Sequence, residues 1–106
     1  METIDAVAKH QECLLNPESS ISEKYKTMFE LKTIGTTAAQ LGLIKGYEGC
    51  RPSELLLHEI CFTIGQMGTT KESHEFLVSV LENPEEHFIV RHEAAEAIGN
   101  LLLKED

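Results

Sequence analysis

The chain has no tryptophan, two tyrosines, three prolines and no low-complexity tract in its 106 residues. With 42% hydrophobic and 25% charged residues, this is the composition of an ordinary helical protein rather than a disordered or disulfide-stapled one. One domain is expected over 1–106, large enough for a modest core but not for two. The three cysteines, Cys13, Cys50 and Cys61, are odd in number and form no Cys-x-x-Cys pair, which excludes a disulfide framework and leaves reduced thiols. No apolar run approaches the roughly 20 residues that span a bilayer, and Met1-Glu2-Thr3-Ile4-Asp5 lacks the basic and apolar regions of a secretory signal. The expectation is a cytoplasmic protein with no membrane partner. Basic residues are scarce and scattered, nine Lys and Arg against eighteen Asp and Glu, so a nucleic-acid backbone is excluded as partner. The net charge of −9 favours solubility and would steer a cationic ligand or a basic protein surface. No nucleophile elbow, phosphate-binding glycine loop or Ser-His-Asp order is present, so hydrolase and nucleotide chemistry have no motif support.

What the chain does have is a repeat. Thr33-Ile34-Gly35, Thr63-Ile64-Gly65 and Ala97-Ile98-Gly99 recur at spacings of 30 and 34 residues, each closing a predicted helix. Upstream, Tyr25, Met28, Phe29, Leu31 and Ile34 in one copy and Leu56, Leu57, Ile60, Cys61 and Ile64 in the next follow the helical period. The intervening segments, Ile4 to Leu15, Ala38 to Tyr47 and Ser73 to Leu81, also read as helices. Asn16-Pro17-Glu18 and Asn83-Pro84-Glu85 mark turns within hairpins. Gly35-Thr36-Thr37 and Gly68-Thr69-Thr70 mark turns between them, with a glycine C-cap followed by threonine N-caps. Ser20 with Glu23 and Thr69 with Glu72 read as capping boxes. The predicted fold is all-α, an α-solenoid of about three HEAT-like helix hairpins, with repeats near 3–35, 36–68 and 69–103.

The candidate site lies on this repeat. Three His-Glu pairs occur, where five His and sixteen Glu would give about one by chance, and two of them occupy equivalent places on consecutive inner helices, the ones that carry the Ile-Gly repeat, the intervening segments being the outer ones. These are His58-Glu59 and His92-Glu93. Adjacent helical residues point about 100° apart, and neighbouring helices pack about 8 to 10 Å apart, so the two pairs can face a common centre. Imidazole plus carboxylate, with no thiolate, suits iron or manganese with open positions better than a closed zinc site. The four side chains could hold one ion or half of a dinuclear centre, since carboxylate-bridged di-iron sites draw ligands from four helices. The plainer alternative is that each pair is an incidental feature of a helix face. His74-Glu75 falls out of register, at the start of an outer helix, and reads as a solvated pair, while His10 and His87 read as surface residues. Met28-Phe29 takes the equivalent position in the first repeat and reads as an apolar cap. Arg91 reads as a surface residue, and Glu96, one turn beyond His92, either orients that ring or faces water.

Leu57-His58-Glu59 through Cys61 to Gly65-Gln66-Met67, Val90-Arg91-His92-Glu93-Ala94 to Ala97-Ile98-Gly99, and Tyr25-Lys26-Thr27-Met28-Phe29-Glu30-Leu31 together resemble deoxyhypusine hydroxylase, a HEAT-repeat family. The resemblance covers most of the chain. It implies an oxygen-dependent monooxygenase with a non-haem di-iron centre, two Fe2+ ions per complete site, that hydroxylates the deoxyhypusine side chain of a translation factor. It further implies that His58, Glu59, His92 and Glu93 are iron ligands and that an acidic groove attracts the cationic arm of the substrate. The family carries four His-Glu motifs in two similar halves, whereas two register-matched motifs precede Asp106 here, a match to part of the N-terminal half. A second half-domain or a homodimer would then complete the site. A non-catalytic HEAT-like protein-binding module is the alternative in a different class, and a bilin lyase-type subunit is a third with no specific residues behind it.

Overall fold

The computed structural model describes the backbone of residues 2–104 and the side chains of residues 5–100. Within these bounds the chain is all-helical, with α1 (Glu2–Leu15), α2 (Ile21–Ile34), α3 (Thr37–Gly46), a 3-10 turn (Tyr47–Cys50), α4 (Glu54–Met67), α5 (Lys71–Glu82) and α6 (Phe88–Lys104). The first and last predicted repeats reach residues whose side chains lie outside the described set.

Local chemistry accounts for most boundaries. The Ser20 hydroxyl accepts from the Glu23 amide at 3.0 Å while the Glu23 carboxylate accepts from the Ser20 amide at 2.7 Å, the expected capping box. Gly35 ends α2 in the left-handed region at φ 70°, where its amide donates to the Leu31 carbonyl at 3.1 Å. Thr36 and Ser53 cap α3 and α4 by accepting from Ala39 and Leu56 amides. Asn16 and Asn83 each accept, through their side-chain oxygen, the amide two residues on, and so fold the Pro17 and Pro84 turns. The prolines sit in these turns, ahead of the helices rather than in their first turns.

Three boundary expectations require correction. The second capping box uses Thr70 with Ser73, not Thr69 with Glu72, because α5 begins at Lys71, which makes Thr70 its N-cap and Ser73 its third residue. Gly65 and Gly99 lie inside α4 and α6 rather than closing them. Gly68 does end α4, but with φ 112° and ψ 171° it makes no left-handed cap. Gln40 takes over that role, its amide donating to the Ile64 and Gly68 carbonyls at 3.2 and 2.7 Å while its oxygen accepts from the Thr70 hydroxyl at 3.1 Å. One side chain of α3 thus closes α4 and joins it to the start of α5.

The helices pair as hairpins, with α1, α3 and α5 in one layer and α2, α4 and α6 in the other. The slab measures 32 × 30 × 17 Å, its short dimension being two helix layers. Leu14, Met28, Leu31, Leu43, Leu56, Leu57, Ile60, Ile64, Leu77 and Val90 fill the space between the layers. Among the hairpins the closest partnership is α4 with α6. Gly65 makes it possible: a Cβ there would lie 2.8 Å from the Ala97 Cβ, so the two backbones meet where neither carries bulk. These are the two helices that bear the His-Glu pairs.

A charge cluster centred on buried Glu86 ties the entries to the same two helices. Glu86, in the turn before α6, accepts from Arg51 Nη1 at 2.9 Å, Arg51 Nη2 at 2.8 Å and the Tyr47 hydroxyl at 2.8 Å. Arg51 also binds Glu48 through Nε at 2.6 Å and stands 5.5 Å over the Tyr47 ring. Burial pushes the Glu86 carboxyl upward, but the hydrogen bonds from Arg51 and Tyr47 outweigh it and hold the group below the ordinary carboxylate range. A carboxyl so depressed stabilises the fold above its unfolded pKa, near 4.3, and loses that contribution as pH falls through the folded value. Glu86→Gln is therefore expected to lose about 1 to 2 kcal/mol at pH 7, with the gap to the parent closing below about pH 4. Urea unfolding at pH 7 and pH 3 checks this; an equal gap at both would assign the loss to shape rather than charge.

Candidate metal centre

Helix α4 presents His58 and Glu59 from its second turn, and α6 presents His92 and Glu93 from its own. The buried stripe Leu56, Leu57, Ile60, Cys61 and Ile64 fixes the rotation of α4, and Val90, Ala94 and Ala97 fix that of α6. Both pairs consequently lie along the seam between the helices. His58 Nε2 is 3.0 Å from Glu93 Oε1 across that seam, and His58 Nδ1 is 3.3 Å from its neighbour Glu59 Oε2. The second of these approaches lacks hydrogen-bond alignment, and Nδ1 is buried without a hydrogen-bond partner. A buried ring nitrogen without a partner is costly, which marks His58 as a residue held for more than packing.

The fourth expected ligand behaves differently. His92 is 72% exposed on its side chain and its Nε2 lies 3.2 Å from Glu96 Oε1, the i,i+4 partner on the same helix. An open cleft of about 320 Å³ lined by His58, Phe88, Ile89 and His92 nevertheless brings the two imidazoles to one surface. That surface is apolar around them. Leu55 and Phe62 stand one turn before and after His58, and Phe88 and Ile89 one turn before His92, all four solvent-exposed.

Electrostatics in the seam follow from crowding of acids. Burial raises the Glu93 carboxyl above the ordinary range; His58 opposes the shift, Glu96 and Glu59 add to it, and His92 opposes it weakly. A cation in the seam would relieve this repulsion. The donor types, neutral imidazole and carboxylate, fit iron. The 3.0 Å separation of His58 Nε2 and Glu93 Oε1 also fits, because adjacent ligands bonded at about 2.1 Å to an octahedral ion lie about 3.0 Å apart. Among the described residues, however, no three His, Cys, Asp or Glu groups are arranged to hold an ion. The reason is visible in the ring: Glu93 and Glu59 approach opposite nitrogens of His58, so both cannot share an ion with one of them.

Of the remaining histidines, His10 and His74 lie apart from the seam, while His87 spans its entrance, stacked on Phe88. His74 and Glu75 are exposed on α5 as expected. His10 faces Glu30 at 3.7 Å, and His87 is half-buried, its Nε2 3.2 Å from Glu54. Arg91 proves structural, donating from Nε to the Leu81 carbonyl at 3.0 Å at the end of α5. Met28 is fully buried and Phe29 half-exposed, in keeping with an apolar first repeat. One residue escaped sequence reasoning. Tyr25 reads as part of the apolar stripe of α2, yet its hydroxyl is buried without a hydrogen-bond partner, and burial first and the Glu59 charge second push its pKa upward. A single tyrosine in a hydrophobic pattern carries no signal that its hydroxyl will point toward a carboxylate.

No protein-family model matches the chain. Whole-chain comparisons do find relatives. Deoxyhypusine hydroxylase of Candida albicans is 38% identical over 104 residues, covering 98% of this chain and 32% of that protein. The Schizosaccharomyces pombe enzyme of the same name is 42% identical over 95 residues, covering 90% of this chain and 29% of its own length. Among solved structures, human deoxyhypusine hydroxylase in complex with glycerol superposes with a TM-score of 0.85 at 28% identity, over 99% of this chain and 38% of the human one. No helix among the described residues is long and apolar enough to cross a membrane. The chain spans about a third of the length of the curated relatives it matches, and is a helical-repeat segment related over nearly its whole length to that part of deoxyhypusine hydroxylase.

Proposed function

We propose that this chain supplies half of the ligand set of a non-haem di-iron monooxygenase that hydroxylates the deoxyhypusine side chain of a translation factor. The observation that carries the reading is the 3.0 Å approach of His58 Nε2 to Glu93 Oε1 between two helices that repeat the same dipeptide. His58, Glu59, His92 and Glu93 would hold the metal, and a pair of Fe2+ ions would supply the activation of oxygen that side-chain hydroxylation requires.

The chain's own residues do the rest. Glu59, Glu93 and Glu96 make the seam acidic, which attracts the ammonium groups of a polyamine-like arm. Leu55, Phe62, Phe88 and Ile89 offer apolar surface for its methylene segments. Exposed His92 is free to exchange Glu96 for a shared centre by a side-chain rotation. Two such segments, from a second half of a longer protein or from a second copy of this chain, would bring the number of His-Glu motifs to four.

Metal analysis with native mass is the test. The expected results are less than one tightly bound iron per isolated monomer, loss of that binding in His58→Ala, and a smaller loss in His92→Ala. A stable monomer holding two irons would sink the half-site reading. Metal content unchanged in both variants would favour a HEAT-like protein-binding module that keeps the dipeptides without using them.

A further inference from the structure

Besides the part-exposed His87–Glu54 pair, the seam between α4 and α6 is fastened at two places that take no part in binding metal. At one, the helices touch through Gly65 and Ala97. At the other, before either helix begins, Arg51 and Glu86 join the two entry turns by paired bonds of 2.9 and 2.8 Å. Arg51 precedes His58 by seven residues, and Glu86 precedes Glu93 by the same seven. The salt bridge joins the entries of the same two helices whose second turns meet at the His58–Glu93 contact.

We propose that Glu86, held by Arg51 and Tyr47, is a positioning residue that sets the axial offset of α6 on α4 and so keeps Glu93 within reach of His58. The carboxylate is well suited to this. It is 2% exposed on its side chain and uses both oxygens, so it has one well-defined place to sit. Its partners are themselves anchored: Tyr47 packs edge-on against Phe76 of α5 with ring centroids 4.9 Å apart, and Arg51 is braced by Glu48. The turn carrying Glu86 is tied down by its amide, which donates to the Asn83 carbonyl at 3.1 Å. A slip of α6 by one residue would move Glu93 about 1.5 Å along the axis and rotate it about 100°, away from His58. Buried ion pairs add little net stability against an apolar alternative, whereas fixing register is their best-attested use. Apolar packing alone tolerates small slips; a two-oxygen, two-nitrogen fork does not.

The test compares the parent chain with Glu86→Ala, with the conservative Glu86→Gln, and with Val7→Ala, a core trim on α1 remote from both helices. In metal-free protein, NMR follows the cross-helix contact between the His58 ring and the Glu93 side chain, and separately that between Gly65 and the Ala97 methyl. Co2+ titration by visible absorption, at a temperature where every variant is fully folded, reads the affinity of the site. Glu86→Ala is expected to lose the His58–Glu93 contact, keep the Gly65–Ala97 contact, and bind Co2+ at least tenfold more weakly. Glu86→Gln should fall between it and the parent, and it carries the test if Glu86→Ala does not fold. Val7→Ala should lower Tm with neither contact nor affinity changed. A Glu86→Ala chain that loses only Tm and keeps the His58–Glu93 contact would overturn the proposal. The Co2+ arm rests on the proposed metal site: a parent chain that binds no Co2+ refutes that reading, while the NMR arm still decides the role of Glu86.

Discussion

Gly65→Ala is expected to cost the fold about 2 to 3 kcal/mol, although alanine is the better helix former by about 1 kcal/mol. The sign follows from contact distance. A Cβ at residue 65 would lie 2.8 Å from the Ala97 Cβ and 3.1 Å from its Cα, closer than real carbon atoms stand, so α4 and α6 would have to separate. Ala97 is itself buried, and no neighbouring side chain can swing aside to make room. Ala97→Gly alone should also destabilise, through lost packing and lower helix propensity. Combined with Gly65→Ala it moves the methyl from one helix to the other and removes the 2.8 Å overlap, leaving only the tight 3.1 Å approach to the Cα of residue 97. The double variant is expected to be at least about 1 kcal/mol more stable than the sum of the single losses. Denaturant unfolding of the four chains measures this coupling; strictly additive losses would mean that the helices do not touch at this point. Because His58 and Glu93 span the same seam, Gly65→Ala should weaken metal binding as well as stability.

That glycine shows where sequence reasoning stopped. The hairpin architecture was legible because helical period, Asn-Pro turns and Ser or Thr caps are local signals, each read within a few residues. The Ser20–Glu23 box and the Gly35 C-cap appear as expected. Gly65 looks like Gly35 in sequence, the same Thr-Ile-Gly tripeptide, but its role is set by Ala97, 32 residues away. Gln40, which closes α4 from another helix, and Glu86, whose partners lie 35 and 39 residues back, are invisible for the same reason. Long-range polar contacts leave no periodicity.

The candidate site divides along similar lines. Register alone was enough to put both His-Glu pairs on one seam, and to leave His74-Glu75 outside it. What register does not give is the rotamer of each side chain. His58 turns inward because its ring has a carboxylate across the seam and apolar walls around it, whereas His92 finds Glu96 one turn along its own helix. A pair of exposed i,i+4 groups contributes only a few tenths of a kcal/mol, so the outward position of His92 is weakly held. The two halves of the expected ligand set are therefore unequal in this chain: one is preorganised and one is available. Under the proposed half-site reading, the exposed imidazole is the one a second pair of motifs would reach.

Gly49→Ala is expected to have the larger effect on stability of the two glycine substitutions, a loss above about 3 kcal/mol, for a reason that differs from Gly65. The 3-10 turn that carries it lies directly on the end of α1. A Cβ at residue 49 would run into the Leu14 carbonyl oxygen, with the Leu15 Cα at 2.5 Å and the Leu14 carbonyl carbon at 2.9 Å. All three atoms are backbone, so no rotamer change relieves the overlap. Either α1 shifts away or the turn does. Both moves break something else, since buried Lys24 donates its ammonium to the Gly49 carbonyl at 2.5 Å, and Tyr47 and Cys50 of the same turn are buried. Burial already drives the Cys50 thiol up to about 11, so the turn cannot admit water without exposing a packed, neutral group. Trimming Leu14 to Ala, which rescues a side-chain collision, is expected to recover nothing here because the obstructing carbonyl stays in place. Tyr47 also holds Glu86, so displacement of this turn should weaken the entry to α6 and, with it, the His58–Glu93 contact. Thermal unfolding and Co2+ titration of Gly49→Ala, alone and with Leu14→Ala, provide the check. A Gly49→Ala chain as stable as its parent would mean that α1 and the turn do not meet as closely as the backbone indicates.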